Sequence, residues 1–279
     1  MPLRPFSAFF ISKGSDRVLV VSDLHIGWEA ALAQKGIHVP SQTPKILDKI
    51  VRIIKSNKPT TLIFLGDVKH TIAKAEMEEW RDIPDFFETI NEMVQDIQVI
   101  PGNHDGNLTP LLPEKVKIFP SKGVVLFDNV GLFHGHTWPA PELLGCKSLI
   151  MGHVHPTIVF RDPLGFRITR QVLVKAQCNG NRIARSLFKH LNIKMNKTPS
   201  ELLEELFDVK LEDPQLFIMP SFNEFLGGQP MNHKSISKSS KMFIGPILRS
   251  RGVDINNAEL YLLDGTFLGS IRQLRTIMF

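Results

Sequence analysis

Cysteine is scarce in this chain of 279 residues, long apolar runs are missing, and two stretches contain no acid at all. Each lack excludes something. Cys146 and Cys178 are too few for a disulfide framework or a thiolate zinc cluster, so two buried free thiols in a reducing compartment are expected. A membrane span needs about 20 consecutive apolar residues, and no run approaches that length. The opening MPLRPFSAFFISKG has neither the apolar stretch nor the small-residue cleavage site of a signal peptide. A cytoplasmic protein without membrane attachment is predicted. At 43% hydrophobic residues the chain has ample material for a core.

The acid-free stretches carry the positive charge. Residues 177–200 hold Arg182, Arg185, Lys189, Lys194 and Lys197, and residues 232–252 hold Lys234, Lys238, Lys241, Arg249 and Arg251. Those ten charges are twice the net surplus of +5, so the remainder of the chain is net negative. Concentrated basic zones are what a polyanion partner requires, and they are equally what an ordinary solvated face looks like.

RVLVVSD (17–23), TTLIFLGD (60–67) and IQVIPGNHD (97–105) read as buried strands. TPKILDKIVRIIKSNK (43–58) reads as a helix with Thr43 as N-cap and Pro44 as first helical residue. The acidic segment from Ala75 to Gln95 is helical in period, with Pro84 dividing it into two pieces. Alternation of strand and helix predicts βαβ units and a mostly parallel sheet. After Leu112 the short runs KVKIF, GVVLF, VGLFH, SLIMG, TIVF and QVLV follow closely, predicting a second, more antiparallel sheet. TPSELLEEL carries a capping box, Thr198 with Glu201. AELYLLDGTFLGSI predicts a hairpin at Asp264-Gly265.

The strands run out into polar residues. The first ends in Asp23 and His25, the second in Asp67, the third in Asn103, His104 and Asp105, the fourth in His134 and His136, and the fifth in His153 and His155. In open α/β sheets ligands collect beyond the carboxyl ends of strands. A two-residue spacing in extended chain puts Asp23 and His25 on one face, and likewise His153 and His155. Glycines 66, 102, 135 and 152 let the backbone turn beside them. A lone strand-end aspartate is a turn residue. Asp23, His25, Asp67, Asn103, His134, His153 and His155, seven oxygen and imidazole donors, are instead about what two cations sharing a carboxylate need.

The blocks DLH, GD, GNHD, HGH and GHVH, in that order from Asp23 to Pro156, resemble the calcineurin-like metallophosphoesterase superfamily. The further stretches GDVKH, FIMPSFNEFLGG and ELYLLDGTFLG resemble a prokaryotic and archaeal branch, some of whose members are associated with DNA repair proteins. The resemblance implies an α/β fold, a four-layer α-β-β-α sandwich of two mixed sheets. It implies one metal held by Asp23, His25 and His155, a second held by Asn103, His134 and His153, and Asp67 between them. His104 would face the substrate as general acid, oriented by Asp105. His136 matches no family ligand and is expected behind the ligands or on the substrate side, rather than at a third metal. MPSFNEF (219–225) is similar to the closing turn of shorter relatives, so residues 177–212 would be a basic helical insertion in a single domain, completed by strands in 213–279.

A donor set of oxygen and nitrogen without sulfur suits Mn²⁺ or Fe²⁺, and zinc also fits. Two such cations activate a bridging water as hydroxide for in-line attack on phosphorus. The GDVKH block lacks the arginine clamp of the protein phosphatases. Lys69 and His70 are candidate phosphodiester contacts, and His38 in GIHVPSQT is another. Three functions follow: a nuclease or phosphodiesterase acting on DNA or RNA, a hydrolase of small phosphoesters such as nucleotides or cyclic nucleotides, and an inactive scaffold. The ligand set opposes the third, and the basic stretches favour the first.

Overall fold

The computed structural model describes residues 1–73, 75–162, 164–233 and 245–277. Its chain groups into two compact units. The first is Met1–Ser121 with Phe222–Phe225, and the second is Lys122–Ser221 with Leu226–Phe279.

The first unit is built on five strands in the order β1 (Ala8–Lys13), β2 (Asp16–Val21), β3 (Thr61–Phe64), β4 (Asp96–Val99) and β5 (Lys117–Ile118). The β1–β2 ladder is antiparallel and the other three are parallel, as the alternation of strands and helices predicts. The short α1 (Trp28–Ala33) follows β2, and α2 (Thr43–Asn57) and α3 (Met77–Asn91) make the crossovers. Gln42 caps α2, one residue before the expected Thr43, and Pro44 lies in the first turn where its missing N–H costs nothing. Ile46, Ile50, Ile53 and Ile54 fall on one face and are buried with Leu19, Leu62 and Phe64 of the sheet.

Pro84 does not divide α3, which runs unbroken across it. A proline inside a helix costs about 3 kcal/mol. Ile83, Phe86, Phe87 and Ile90, on both sides of Pro84, are all buried in the same core. Burial of four such side chains contributes roughly 6–12 kcal/mol, which outweighs the lost hydrogen bond. KVKIF also departs from expectation. Its β5 is only two residues long and pairs in parallel with β4, closing the first sheet rather than starting the second.

The second unit holds β6 (Val124–Leu126), β7 (Val130–Leu132), β8 (Ser148–Met151), β9 (Pro156–Arg161), β10 (Arg167–Gln177), β11 (Gln215–Ile218), β12 (Gln229–Pro230), β13 (Glu259–Leu262) and β14 (Phe267–Ser270). Among the described residues these form one mixed sheet with the path β12-β9-β10-β11-β8-β7-β6, and β13 and β14 branch from β10. The β6–β7, β9–β10, β10–β11, β10–β13 and β13–β14 ladders are antiparallel, so this sheet is more antiparallel than the first. Asp264 and Gly265 turn the β13–β14 hairpin, with Gly265 at φ 93°. Four helices complete the unit: α4 (Gly180–His190), α5 (Pro199–Phe207), α6 (Pro246–Arg249) and α7 (Ile271–Ile277). Thr198 and Glu201 form the expected capping box on α5. Ile183, Leu187, Phe188 and Leu203 pack with Leu216, Ile218 and Val174 in the core of the unit. No described helix is long and apolar enough to cross a membrane.

Candidate metal centre

In the first unit the loops after β2, β3 and β4 are stitched together by main-chain bonds. Asp23 N–H donates to the Gly66 carbonyl at 3.0 Å, and His25 N–H to the Asp67 carbonyl at 2.9 Å. His104 N–H donates to Asp67 Oδ1 at 2.8 Å, and His25 Nε2 lies 3.5 Å from Asp67 Oδ2. Gly102 is required for a reason of space. A Cβ there would overlap both the side chain and the main chain of Asp67. Asn103 Oδ1 is buried with no hydrogen-bond partner among the described residues. A buried oxygen left without a donor is costly in a core and well suited to a cation.

The backbone at the candidate ligand positions is not extended. Asp23 (φ 59°), His25 (47°), Asp67 (51°), His153 (69°) and His155 (47°) all occupy the left-handed region. That conformation costs an ordinary L-residue about 1–2 kcal/mol, and such strain gathers at functional sites. The two-residue spacing therefore works differently from the expected extended strand. In each pair the middle residue, Leu24 or Val154, is buried, and the residue on either side is left-handed.

Several side chains hold this arrangement, and motif reading missed them. Ser22, fully buried, donates to the Asp23 carboxylate, and its Oγ lies 3.0 Å from the Leu65 carbonyl. Asn223 Nδ2 donates to the Leu24 carbonyl at 3.0 Å, and Phe222 N–H to the Ser22 carbonyl at 2.8 Å. The MPSFNEF segment thus braces the DLH loop. Glu79 is fully buried in the first turn of α3 and accepts the main-chain N–H groups of His70 and Thr71. No sequence signal marks it, because its partners are peptide groups.

The third loop departs from expectation at Asp105. Its carboxylate accepts from the N–H groups of Val68 at 2.8 Å, Lys69 at 3.3 Å and Gly102 at 2.8 Å, tying the β3 loop to the β4 loop. The His104 ring is oriented by another group: its Nδ1 donates to the His70 carbonyl. His25, His70 and His104 form an imidazole cluster, each offering a ring nitrogen within 4.8 Å of the others. His70 Nδ1 lies 3.3 Å from His25 Nδ1. Burial, and after it the neighbouring His104, hold the His70 imidazole below its ordinary pKa.

Lys69, a candidate phosphate contact, does not lie on open surface. It is fully buried, with Nζ donating to the carbonyls of Thr71 and Ile72. Burial lowers its pKa, opposed by Glu79, Asp105 and Asp67. His38 is exposed between α1 and α2, and no hydrogen bond or ring contact ties it to other described residues.

In the second unit His134 follows β7 and His153 follows β8. Gly152 N–H donates to the His134 carbonyl at 3.1 Å, and the two imidazole centroids lie 5.0 Å apart. The His136 ring stands 5.3 Å from that of His134 and 6.1 Å from that of His153, so it joins this group. His155 Nδ1 lies 3.4 Å from the Gly227 carbonyl.

The two basic stretches meet in the second unit. Asn179 N–H donates to the Gly252 carbonyl at 2.7 Å, and Ser186 Oγ, which donates to the Arg182 carbonyl at 3.0 Å, lies 3.4 Å from the Ser250 carbonyl. Gly252 lies so close to Ile183 that a Cβ would strike it. Arg182, Arg185 and Lys189 on α4 are exposed, as are Arg249 and Arg251. Lys194 is also exposed, and Lys197 is paired with Glu205 at 2.7 Å. Lys234, Lys238 and Lys241 lie outside the described residues. At the end of α4 His190 stacks on Trp138, centroids 5.9 Å apart, two residues beyond His136.

The calcineurin-like phosphoesterase family model matches residues 16–255. Among solved structures, a nuclease MPE from Pseudomonas putida is 18% identical, with 94% of this chain and 100% of that one covered at a TM-score of 0.51. The YfcE phosphoesterase from E. coli is 20% identical, with 52% of this chain and 73% of that one covered at a TM-score of 0.33. No curated protein sequence matches significantly. The first of these structures shares the two-sheet α/β fold. The family and the aspartate and histidine groups fit a site for two divalent cations. A match over most of the length, on a fold that ends its strands in those groups, leaves one assignment: the chain belongs to the calcineurin-like phosphoesterase family and is a phosphoester hydrolase.

Proposed function

We propose that this hydrolase is a phosphodiesterase of nucleic acid. The observation that carries the reading is the meeting of the two basic stretches, which sets Arg182, Arg185, Lys189, Arg249 and Arg251 on exposed surface of one unit. Phosphate contacts from such residues supply sequence-independent affinity for a polyanion. That the Pseudomonas putida protein of this fold is a nuclease agrees with the reading. Residues 177–212 are, on this view, a basic elaboration of a single catalytic domain.

From the family pattern, Asp23, His25 and His155 would hold one cation, Asn103, His134 and His153 would hold the other, and Asp67 would serve both. Manganese suits this donor set. When bound, two such cations supply Lewis acidity and lower the pKa of water. The chain's own groups do the rest. His104, fixed at Nδ1 by the His70 carbonyl, presents Nε2 to the leaving oxygen and gives it a proton. Asp105 acts at one remove, by holding the β3 and β4 loops in register. His136 lies on the substrate side of the second unit's imidazoles.

Replacing Arg182, Arg185 and Lys189 together by Glu tests the reading. The ratio of oligonucleotide cleavage to bis-p-nitrophenyl phosphate hydrolysis should fall. The slope of log K against log salt for a single strand should flatten by about 2, at 0.7 per phosphate contact. Unchanged slope and ratio, with turnover confined to nucleotides or cyclic nucleotides, would establish a small-phosphoester hydrolase instead.

A further inference from the structure

Directly after His155 the chain leaves as a hairpin made of β9 and the first half of β10, with Arg161 opposite Arg167 and Phe160 opposite Ile168. Asp162 closes its turn: Oδ1 accepts the N–H groups of Leu164 at 2.9 Å and Phe166 at 2.8 Å, and Gly165 supplies φ 87°. The base is held as well. Asn232 donates to the Val159 carbonyl at 2.8 Å and accepts its N–H at 3.2 Å, filling the edge of β9. Six residues of strand at about 3.3 Å each give the arm a reach of roughly 20 Å from His155.

The arm carries residues that a solvated hairpin does not need. Leu164 is 83% exposed, Phe166 67% and Ile168 46%, and Arg161, Arg167 and Arg170 are exposed among them. Like charges directly opposite across an antiparallel pair are destabilising, yet Arg161 faces Arg167. Asp162 is the one acid between Pro156 and Gln177, and its carboxylate is engaged in the turn.

We propose that this hairpin is a docking arm for an unpaired nucleic-acid strand, with Phe166 stacked on a base and Arg161 and Arg167 on phosphates. The inference rests on the nucleic-acid reading above. Aromatic faces interleaved with arginines are what single strands bind, since every base has a π-face. A phosphate between Arg161 and Arg167 turns their repulsion into two attractions. A second copy of the chain would instead bring three more arginines against the first three. A base-paired strand offers Phe166 no free base face.

The test is fluorescence anisotropy of the metal-loaded protein with a cleavage-resistant phosphorothioate oligonucleotide, with melting temperature read alongside. Phe166→Leu should weaken single-strand binding about tenfold, the loss of one stacked base, while Phe166→Tyr keeps it. Arg161→Gln with Arg167→Gln should flatten the salt slope by about 1.4. Neither change should alter binding of a duplex of equal length. Equal binding by Phe166→Leu and wild type, or equal loss in Phe166→Leu and Phe166→Tyr, would overturn the arm and leave the nuclease reading intact. A concentration-dependent dimer abolished by Phe166→Leu would make the arm an interface between copies and also overturn it. If wild-type protein binds no oligonucleotide, both readings fall.

Discussion

Glu79 accepts the main-chain N–H of His70 at 2.9 Å, and the carbonyl of that same residue receives Nδ1–H of His104. The carboxylate also takes the N–H groups of Thr71 at 2.7 Å and Glu76 at 3.0 Å. A fully buried acid thus reaches an imidazole through one amino-acid residue, holding Nδ1 against a carbonyl so that Nε2 is the nitrogen this tie does not engage. Gly27 makes room for it, since a Cβ at that position would stand 2.7 Å from Glu79 Cγ.

Glu79→Ala should lower kcat about tenfold or more, within the range for partners that orient a working side chain, with KM little changed. The diagnostic is a double variant. In the His104→Ala background the second change should cost almost nothing in kcat, because the group it positions is gone. Multiplicative losses would mean that Glu79 supports the fold and not the ring.

His104→Ala itself should reduce turnover by roughly 10²–10⁴-fold, the usual contribution of a general acid. Metal content by elemental analysis should match wild type. Loss of metal together with activity would place His104 among the ligands.

Chelation should lower thermal stability, because the buried carboxylates of Asp23 and Asp67 and the strained backbone around them lose their counter-charge. Restoring Mn²⁺ at a hundredfold excess over its Kd should return about 2.7 kcal/mol. Asp67→Asn should melt higher than wild type in chelator and respond less to added metal. Calorimetric scans that do not move with metal would contradict this.

Burial pushes the Cys146 thiol up to about 11 and, with a further contribution from Asp213, the Cys178 thiol up to about 12. Folded values above the ordinary 9.0 mean that the folded state holds these protons more tightly. Their stabilising contribution is complete below about pH 9 and is lost as pH rises through 11–12. Both thiols should resist a disulfide reagent at pH 8 and react only with guanidinium present. The guanidinium midpoint should decline above pH 9.

Much of the site is written in local pattern. GNHD, HGH and GHVH sit where apolar runs stop, and residue types at strand ends can be read without knowing the packing. The alternation of strand and helix likewise predicts the parallel ladders of the first sheet. What escapes is whatever depends on partners distant in sequence. Lys69 looks like an exposed phosphate ligand beside a GD block, yet its ammonium is folded back onto the carbonyls of Thr71 and Ile72. Pro84 obeys a local rule that four buried apolar neighbours override. Asp105 and Glu79 serve peptide N–H groups, which leave no mark on the sequence. The left-handed turn at each ligand pair is invisible because the residues there are aspartate and histidine, not glycine.

The tie between Asn223 and Leu24 spans 199 residues of chain. A ribosome adding about 5–20 residues per second needs roughly 10–40 s to travel that distance. Throughout that interval the Asp23 and His25 loop exists without its brace, although the strands on either side of it can already pair. The first of the candidate ligands to be synthesised are therefore among the last to be braced. A nascent chain released after His155 and before Asn223 would carry all seven candidate donors and still lack this brace.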